Sequence, residues 1–329
     1  MEPIAASASD LTHLDRRIAL LHRMALLCAA LVLTITSLSA FMRLSKAGLG
    51  CQPWPQCYGQ SLRELQQGGI APKADAATAT AAARVVHRIA AVAALIVVIM
   101  MVMTTMTTRP VLWREGRIAL ALLGLTLFLA VLGLWTANSR VPAVALGNLL
   151  AGFAMFALSC RLAQASRPRT QAGTAASPRL AHWAWLGAAL LAAQIALGGL
   201  VSASYAGLSC PLLASCDLSG ASWQALNPWH EPLLDSAAPT NPAAALANVI
   251  HRAGALVVAA VLLPLGMAAW RSGRRAGGPI VMLLLIQGAF GVVLVIGALP
   301  LAAALAHNVV AALLLAAVLG LASDSGRSW

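Results

Sequence analysis

The 329-residue chain is too apolar to be a soluble globular protein. Hydrophobic residues make up 60% of it, charged residues only 10%, and its mean hydropathy is +0.81. A net charge of +12 would suggest nucleic-acid binding in a soluble protein. Here the arginines cluster between apolar stretches, so we expect membrane lipid as the partner and no nucleic acid.

Eight apolar stretches recur along the chain, each about 20 residues long, which is enough to cross a hydrocarbon core of about 30 Å as a helix. They lack the alternation of barrel strands, and a backbone in lipid must satisfy its own polar groups, so we expect helices. The predicted segments, numbered 1 to 8, are residues 24–44, 85–107, 118–136, 143–163, 183–203, 245–269, 279–298 and 302–322. The predicted fold class is therefore an all-α integral membrane protein.

Arginine clusters predict the topology of the segments, because cytoplasmic connections carry an excess of basic residues. Such clusters precede segment 1 and fill the connections 2–3, 4–5 and 6–7, whereas the connection from segment 5 to segment 6 has three acidic residues and no Lys or Arg. We therefore expect both termini in the cytoplasm and two long outer connections, residues 45–84 and 204–244. The arginines are Arg16, Arg17, Arg23, Arg109, Arg114, Arg117, Arg161, Arg167, Arg169, Arg179, Arg271, Arg274 and Arg275, and the acids are Asp217, Glu231 and Asp235.

Two landmarks repeat in the same order along the chain. KAGLGCQPWPQC at 46–57 matches YAGLSCPLLASC at 205–216, and the pair His87-Arg88 parallels His251-Arg252. The repeat predicts two pseudo-symmetric four-helix bundles, and an even number of helices per copy makes this a parallel repeat. The predicted divisions are a cytoplasmic segment 1–23, a first half 24–165, a cytoplasmic linker 166–182, a second half 183–322 and a cytoplasmic tail 323–329.

Each copy carries a C-x5-C pair in an outer connection, on the oxidising side of the membrane. We expect the disulfides Cys51–Cys57 and Cys210–Cys216, each acting as a loop staple or, alternatively, in thiol exchange. Cys28 and Cys160 lie within segments 1 and 4, where they are expected to be small apolar residues.

Three histidines lie within the membrane, where polar groups are costly and usually functional. His87, His251 and His307 each lie within about two turns of the outer end of a segment, so they could converge at one depth as haem ligands. For each one alone, a core histidine hydrogen-bonded across helices remains the alternative. Arg88 and Arg252 follow two of them and are candidates for haem propionates or for reaching the lipid headgroups.

The repeated A-G-L-x-C-x5-C, the two His-Arg pairs and the His307-Asn308 pair together resemble the haem A synthase family, over about residues 20–322. The resemblance implies a bacterial inner-membrane enzyme that holds haem b between His251 and His307 in its second half. It implies that haem O is bound at His87 in the first half and that its ring methyl is oxidised to a formyl group. The product, haem A, would serve a terminal cytochrome oxidase, so that oxidase and a haem O synthase are the implied protein partners.

Two residues of the first half depart from that family. The histidine expected in segment 4 is replaced by Asn148, or by Gly147 in a register shifted by one, and the carboxylate expected before His87 is Arg84. Either a five-coordinate haem on His87 suffices, with Arg84 in another role such as propionate binding, or the first half no longer reacts. The second reading makes the protein a non-enzymatic haem b-binding membrane protein for electron transfer or oxidase assembly. The parallel repeat alone would also suit a transporter.

Overall fold

A computed structural model describes residues 8–69, 78–136, 139–167, 177–234 and 239–323, and within these ranges the chain forms helices and no strand. Two residues used to predict the topology, Arg169 and Asp235, lie outside the described residues, as do residues 324–329 of the predicted tail.

The eight predicted segments are confirmed as helices long and apolar enough to cross a membrane. A ninth, short helix, α2, lies in the first outer connection. The helices are α1 (Ala8–Lys46), α2 (Gln60–Gln66), α3 (Thr78–Thr107), α4 (Trp113–Thr136), α5 (Pro142–Ala165), α6 (Pro178–Ala203), α7 (Ala245–Arg271), α8 (Gly277–Ile296) and α9 (Leu301–Ser323). The first helix begins at Ala8, well before the predicted start at residue 24.

The long helices pack as two groups of four. In the first group, α1 and α4 each pack against α3 and α5, and in the second, α6 and α8 each pack against α7 and α9. The groups meet where α5 contacts α6 and α9 and where α1 contacts α9. The central helix α9 is accordingly the most buried of the eight, while α4 and α8 lie at the periphery with few of their residues buried. Such exposure is expected of helices whose outer faces contact lipid.

The two cysteine pairs of the outer connections are bonded as predicted, Cys51 to Cys57 and Cys210 to Cys216. Gly48 of the first A-G-L-x-C motif has a φ of +97°, a conformation that favours glycine. A Cβ atom there would lie 2.9 Å from the carbonyl oxygen of Cys57, so a side chain would also disrupt the closed loop.

Among the described residues the free cysteines are Cys28 and Cys160, as expected. Cys28 is fully buried and accepts a hydrogen bond from the Ser159 hydroxyl. Both thiols lie in helices that pack against each other, α1 and α5, which confirms their location inside the bundle.

This cysteine arrangement predicts the outcome of thiol labelling on the purified, unfolded protein. Without reductant, a maleimide should label two of the six cysteines, and after reduction it should label all six, as counted by mass spectrometry. A variant carrying Cys28→Ser and Cys160→Ser should take up no label before reduction. Four or six labels on the unreduced wild type would contradict the two disulfides.

Candidate functional site

A layer of four polar side chains crosses the second helix group, with one residue from each helix. His251 and His307 each lie six residues after the first residue of α7 and α9. Gln194 and Gln287 each lie nine residues before the last residue of α6 and α8. Since neighbouring helices in this group run in opposite directions, these positions fall at similar depths in an otherwise apolar bundle.

Each histidine of this polar layer is paired with a glutamine on a neighbouring helix. The amide nitrogen of Gln194 lies 3.0 Å from His251 Nδ1 and donates to the His251 carbonyl oxygen at 2.7 Å. The amide nitrogen of Gln287 lies 3.0 Å from His307 Nε2. The structure therefore places the two predicted haem ligands in the same polar layer.

Three buried polar atoms of the layer have no hydrogen-bond partner among the described residues: the amide oxygens of Gln194 and Gln287, and His307 Nδ1. An unsatisfied buried polar atom costs about 1–3 kcal/mol, and native proteins contain few of them. Three at one level of an apolar bundle are typical of a ligand site, because a bound group can supply the missing contacts. Imidazole nitrogens suit haem iron, so these residues fit the predicted haem.

Two glycines make room for the histidine rings. A Cβ atom on Gly198, one turn after Gln194, would lie 2.8 Å from His251 Cε1. A Cβ atom on Gly291, one turn after Gln287, would lie 3.8 Å from His307 Cε1. Both flat rings therefore lie close to the backbone of the helix that also provides their glutamine.

Arg252 is held by the second outer loop. Its guanidinium donates to the carbonyl oxygens of Cys210 and Leu212, both at 2.5 Å, and to that of Leu213 at 3.3 Å. The nearby Asn248, which is buried, donates to the Ala206 carbonyl at 2.8 Å. The start of α7 therefore anchors the disulfide loop, and propionate binding by Arg252 stays a prediction.

The first helix group holds His87 in a different setting. His87 is half-buried on the face of α3 that also carries the buried Ala83 and Ala90, and its ring makes no hydrogen bond among the described residues. The side chains of Arg84 and Arg88 are exposed. Neither arginine forms an ion pair within the described part of the chain, so both charges are free to meet an anionic group.

Asn148 lies six residues after the first residue of α5, the position that His251 and His307 hold in α7 and α9. Its side-chain nitrogen donates to the Ser39 hydroxyl on α1 at 3.1 Å. This contact links α5 to α1 through the amide nitrogen. The matching helix position favours Asn148 over Gly147 as the residue in the histidine position.

An apolar groove of about 470 Å³ lies between α1, α3 and α9, and its lining on α3 ends at Val86, the residue before His87. Sequence reasoning missed it, although three alanines at helical spacing on α3 indicate one smooth face. The lining residues are Ser37, Leu38, Phe41, Ala79, Ala82, Ala83, Val86 and Leu305. The groove therefore places an apolar surface within one helical turn of His87 along α3.

The second outer loop crosses over to the first helix group. Glu231 forms an ion pair with Arg140 at 3.3 Å, and the Pro232 carbonyl accepts a hydrogen bond from Gln66 of α2 at 2.8 Å. The Ala143 amide at the start of α5 donates to the Pro228 carbonyl at 2.7 Å. The end of the first group at which α5 begins is thus covered by the loop of the second.

Aromatic rings join the two outer loops. The ring of Tyr58 lies 5.8 Å from that of Trp54 and 5.6 Å from that of Tyr205, measured between centroids. Burial raises the pKa of the Tyr58 phenol well above its usual value, so the phenol stays protonated. Together with the crossing loop, these contacts cover this end of both groups.

The family model described as cytochrome oxidase assembly protein, COX15-CtaA, matches residues 22–319. The chain belongs to this family. Eight apolar helices and membership of COX15-CtaA fit a multi-pass protein of the bacterial inner membrane.

Two relatives carry the same name, haem A synthase. The protein from Shewanella oneidensis is 29% identical over 302 residues, which cover 86% of this chain and 90% of the relative. The protein from Methylobacterium nodulans is 38% identical over 149 residues, 42% of this chain and 38% of the relative. The first match spans both helix groups.

The contact between Gly198 and His251 predicts that filling this space destabilises the second group. Gly198→Ile should lower the free energy of unfolding by about 1–3 kcal/mol, because overpacking forces the ring from its position. Gly288→Ile is the matched control, since a Cβ atom at Gly288 on α8 meets nothing within 4 Å. Thermal unfolding in detergent measures both variants, and equal unfolding temperatures would contradict the close contact.

Proposed function

We propose that the chain is a haem A synthase, a membrane oxidoreductase that oxidises the ring methyl of haem O to a formyl group. Family membership and the names of the two relatives support this activity. The structural observation that carries the proposal is the polar layer, where His251 and His307 share one depth beside buried polar atoms that lack partners in the described part of the chain.

The second helix group would hold a permanent haem b. His251 and His307 come from α7 and α9, two helices that face each other across the group, and a haem ligated by both would stand between them. When bound, haem b supplies electron transfer to or from the first group. The chain's own contribution is to orient both rings through Gln194 and Gln287, and to hold the outer loop over them through Arg252.

The first helix group would take haem O as its substrate. His87 is the one iron ligand that its candidate residues offer, because an asparagine at position 148 is a poor ligand for iron. A single ligand suits a substrate that must bind and leave. The exposed Arg84 and Arg88 would bind propionates as charge-assisted partners, and the apolar groove beside His87 suits a substrate that arrives through the bilayer.

The two groups would be copies related by an axis along the membrane normal, with both termini in the cytoplasm and divisions near residues 24, 166, 183 and 323. The same pattern of helix pairing in both groups supports this arrangement. Arg43 donates to the Ser202 hydroxyl at 2.6 Å across a separation of 159 residues, the separation of Cys51 and Cys210. Equivalent residues of two copies meet only near the axis that relates them.

A haem O synthase and a terminal cytochrome oxidase are the partners that this activity would serve.

Haem extraction from the purified protein, with visible spectra, tests the assignment of the two groups. His251→Ala and His307→Ala should abolish the b-type spectrum, because each removes one iron ligand. His87→Ala should keep haem b and lose haem O and haem A. His182→Ala, at the exposed start of α6, is the control and should match the wild type. If the wild type, His87→Ala and His182→Ala all contain haem b and neither haem O nor haem A, the first group does not bind the substrate.

The second candidate function, a non-enzymatic haem b-binding protein for electron transfer or oxidase assembly, rests on Arg84 and Asn148. Production with a haem O source decides between the two functions by chromatography of the extracted haem. We expect the wild type to form haem A. If haem A appears only when Arg84→Glu and Asn148→His are combined, and in neither single variant, the non-enzymatic function is correct.

A further inference from the structure

Three glutamines lie within the membrane-spanning helices: Gln164, Gln194 and Gln287. All three have a buried amide oxygen without a partner among the described residues. Gln194 and Gln287 lie against the histidines of the second group. Gln164 instead lies against Gly320, one residue before the end of α5. Two of the three costly amides are therefore placed at the proposed iron ligands.

The two glutamines at the histidines share a local pattern. Each is followed four residues later by the glycine that accommodates the ring, as Gln194 with Gly198 and Gln287 with Gly291. In the first group the positions 159 residues earlier are Ile35 and Phe128, which offer no hydrogen bond. The glutamines thus accompany the group that has two candidate iron ligands and are missing from the group that has one.

A histidine that binds a metal through one ring nitrogen has a proton on the other, and a hydrogen-bond acceptor there fixes the tautomer and the ring orientation. A glutamine can supply this acceptor, since its amide carries an oxygen and a nitrogen that exchange places on rotation. The unpaired oxygens of Gln194 and Gln287 are on amides already 3.0 Å from a ring nitrogen. Turning each amide brings its buried oxygen to that ring nitrogen and leaves the other ring nitrogen for iron. At Gln194 the turn also gives up the hydrogen bond that its nitrogen donates to the His251 carbonyl.

We propose that Gln194 and Gln287 are positioning residues that hold His251 and His307 for haem b, each amide oxygen accepting the ring N–H that does not face the iron. This inference rests on the proposed haem site of the second group. It assigns a purpose to two polar residues that the membrane would otherwise penalise.

The midpoint potential of the bound haem b tests this role, because an acceptor on the ring N–H makes the ligand more basic and stabilises ferric iron. Gln194→Leu and Gln287→Leu should each raise the potential and weaken haem binding about tenfold. Gln194→Glu and Gln287→Glu should lower the potential below the wild-type value, since a carboxylate is a stronger acceptor, and should retain haem. Gln164→Leu, which removes a buried amide elsewhere, should leave the potential unchanged.

Spectroelectrochemical titration of the purified full-length proteins in detergent gives these midpoint potentials. If the Leu variant at one position does not fold, the Glu variant at that position is compared with the wild type instead. Opposite shifts for Leu and Glu with an unchanged Gln164→Leu support the proposal. Unchanged potentials in haem-loaded Gln194 and Gln287 variants would overturn the role of the glutamines but not the haem site. A shift in Gln164→Leu as large as that in Gln194→Leu or Gln287→Leu would do the same. Wild-type protein without a b-type spectrum would overturn the haem site itself.

Discussion

A polar side chain inside a membrane helix must find its partner within the protein, because lipid offers none. This constraint organises the second helix group, where His251 and His307 each meet a glutamine from a neighbouring helix. It also explains the outer end of α7, where Asn248 and Arg252 bind loop carbonyls rather than lipid headgroups. The same pairing that satisfies each polar group fixes the rotation of the helix that carries it.

The two helix groups solve this problem differently, and the difference bears on function. In the second group the paired side chains leave three buried polar atoms without partners among the described residues. A bound haem iron would take up the His307 nitrogen, and the two amide oxygens would accept from the ring N–H groups once the amides turn. In the first group the Asn148 amide nitrogen donates to Ser39, while the His87 ring has no hydrogen bond to any described residue and the two arginines beside it are exposed. A closed, two-ligand setting suits a resident cofactor, and an open, one-ligand setting beside an apolar groove suits a molecule in transit.

Much of the fold was predictable from the sequence, because length and apolarity are local properties that decide whether a segment can span lipid. The disulfides were predictable from the repeated C-x5-C motif. The long start of α1 was not, since charged residues such as Asp15 and Arg16 hide this part of the helix from a hydropathy criterion.

The site was less predictable than the fold. The depth of His251 and His307 follows from their distance to the helix ends, but their glutamine partners depend on how α6 and α8 are rotated against α7 and α9. Arg252 shows the same limit, because its loop carbonyls come from residues about 40 positions away. A search for rare polar residues within the spans would have drawn attention to Gln194 and Gln287, although not to their partners.

The loop that crosses from the second group to the first links two parts of the chain that meet in sequence only at the connection between α5 and α6. Its contacts to Gln66, Arg140 and Ala143 lie on the opposite side of the membrane from that connection. Cutting the chain there would divide the polypeptide without dividing the molecule, and a first half made by itself would lack its cover. The two halves therefore form one unit of assembly, however independent they look as four-helix bundles.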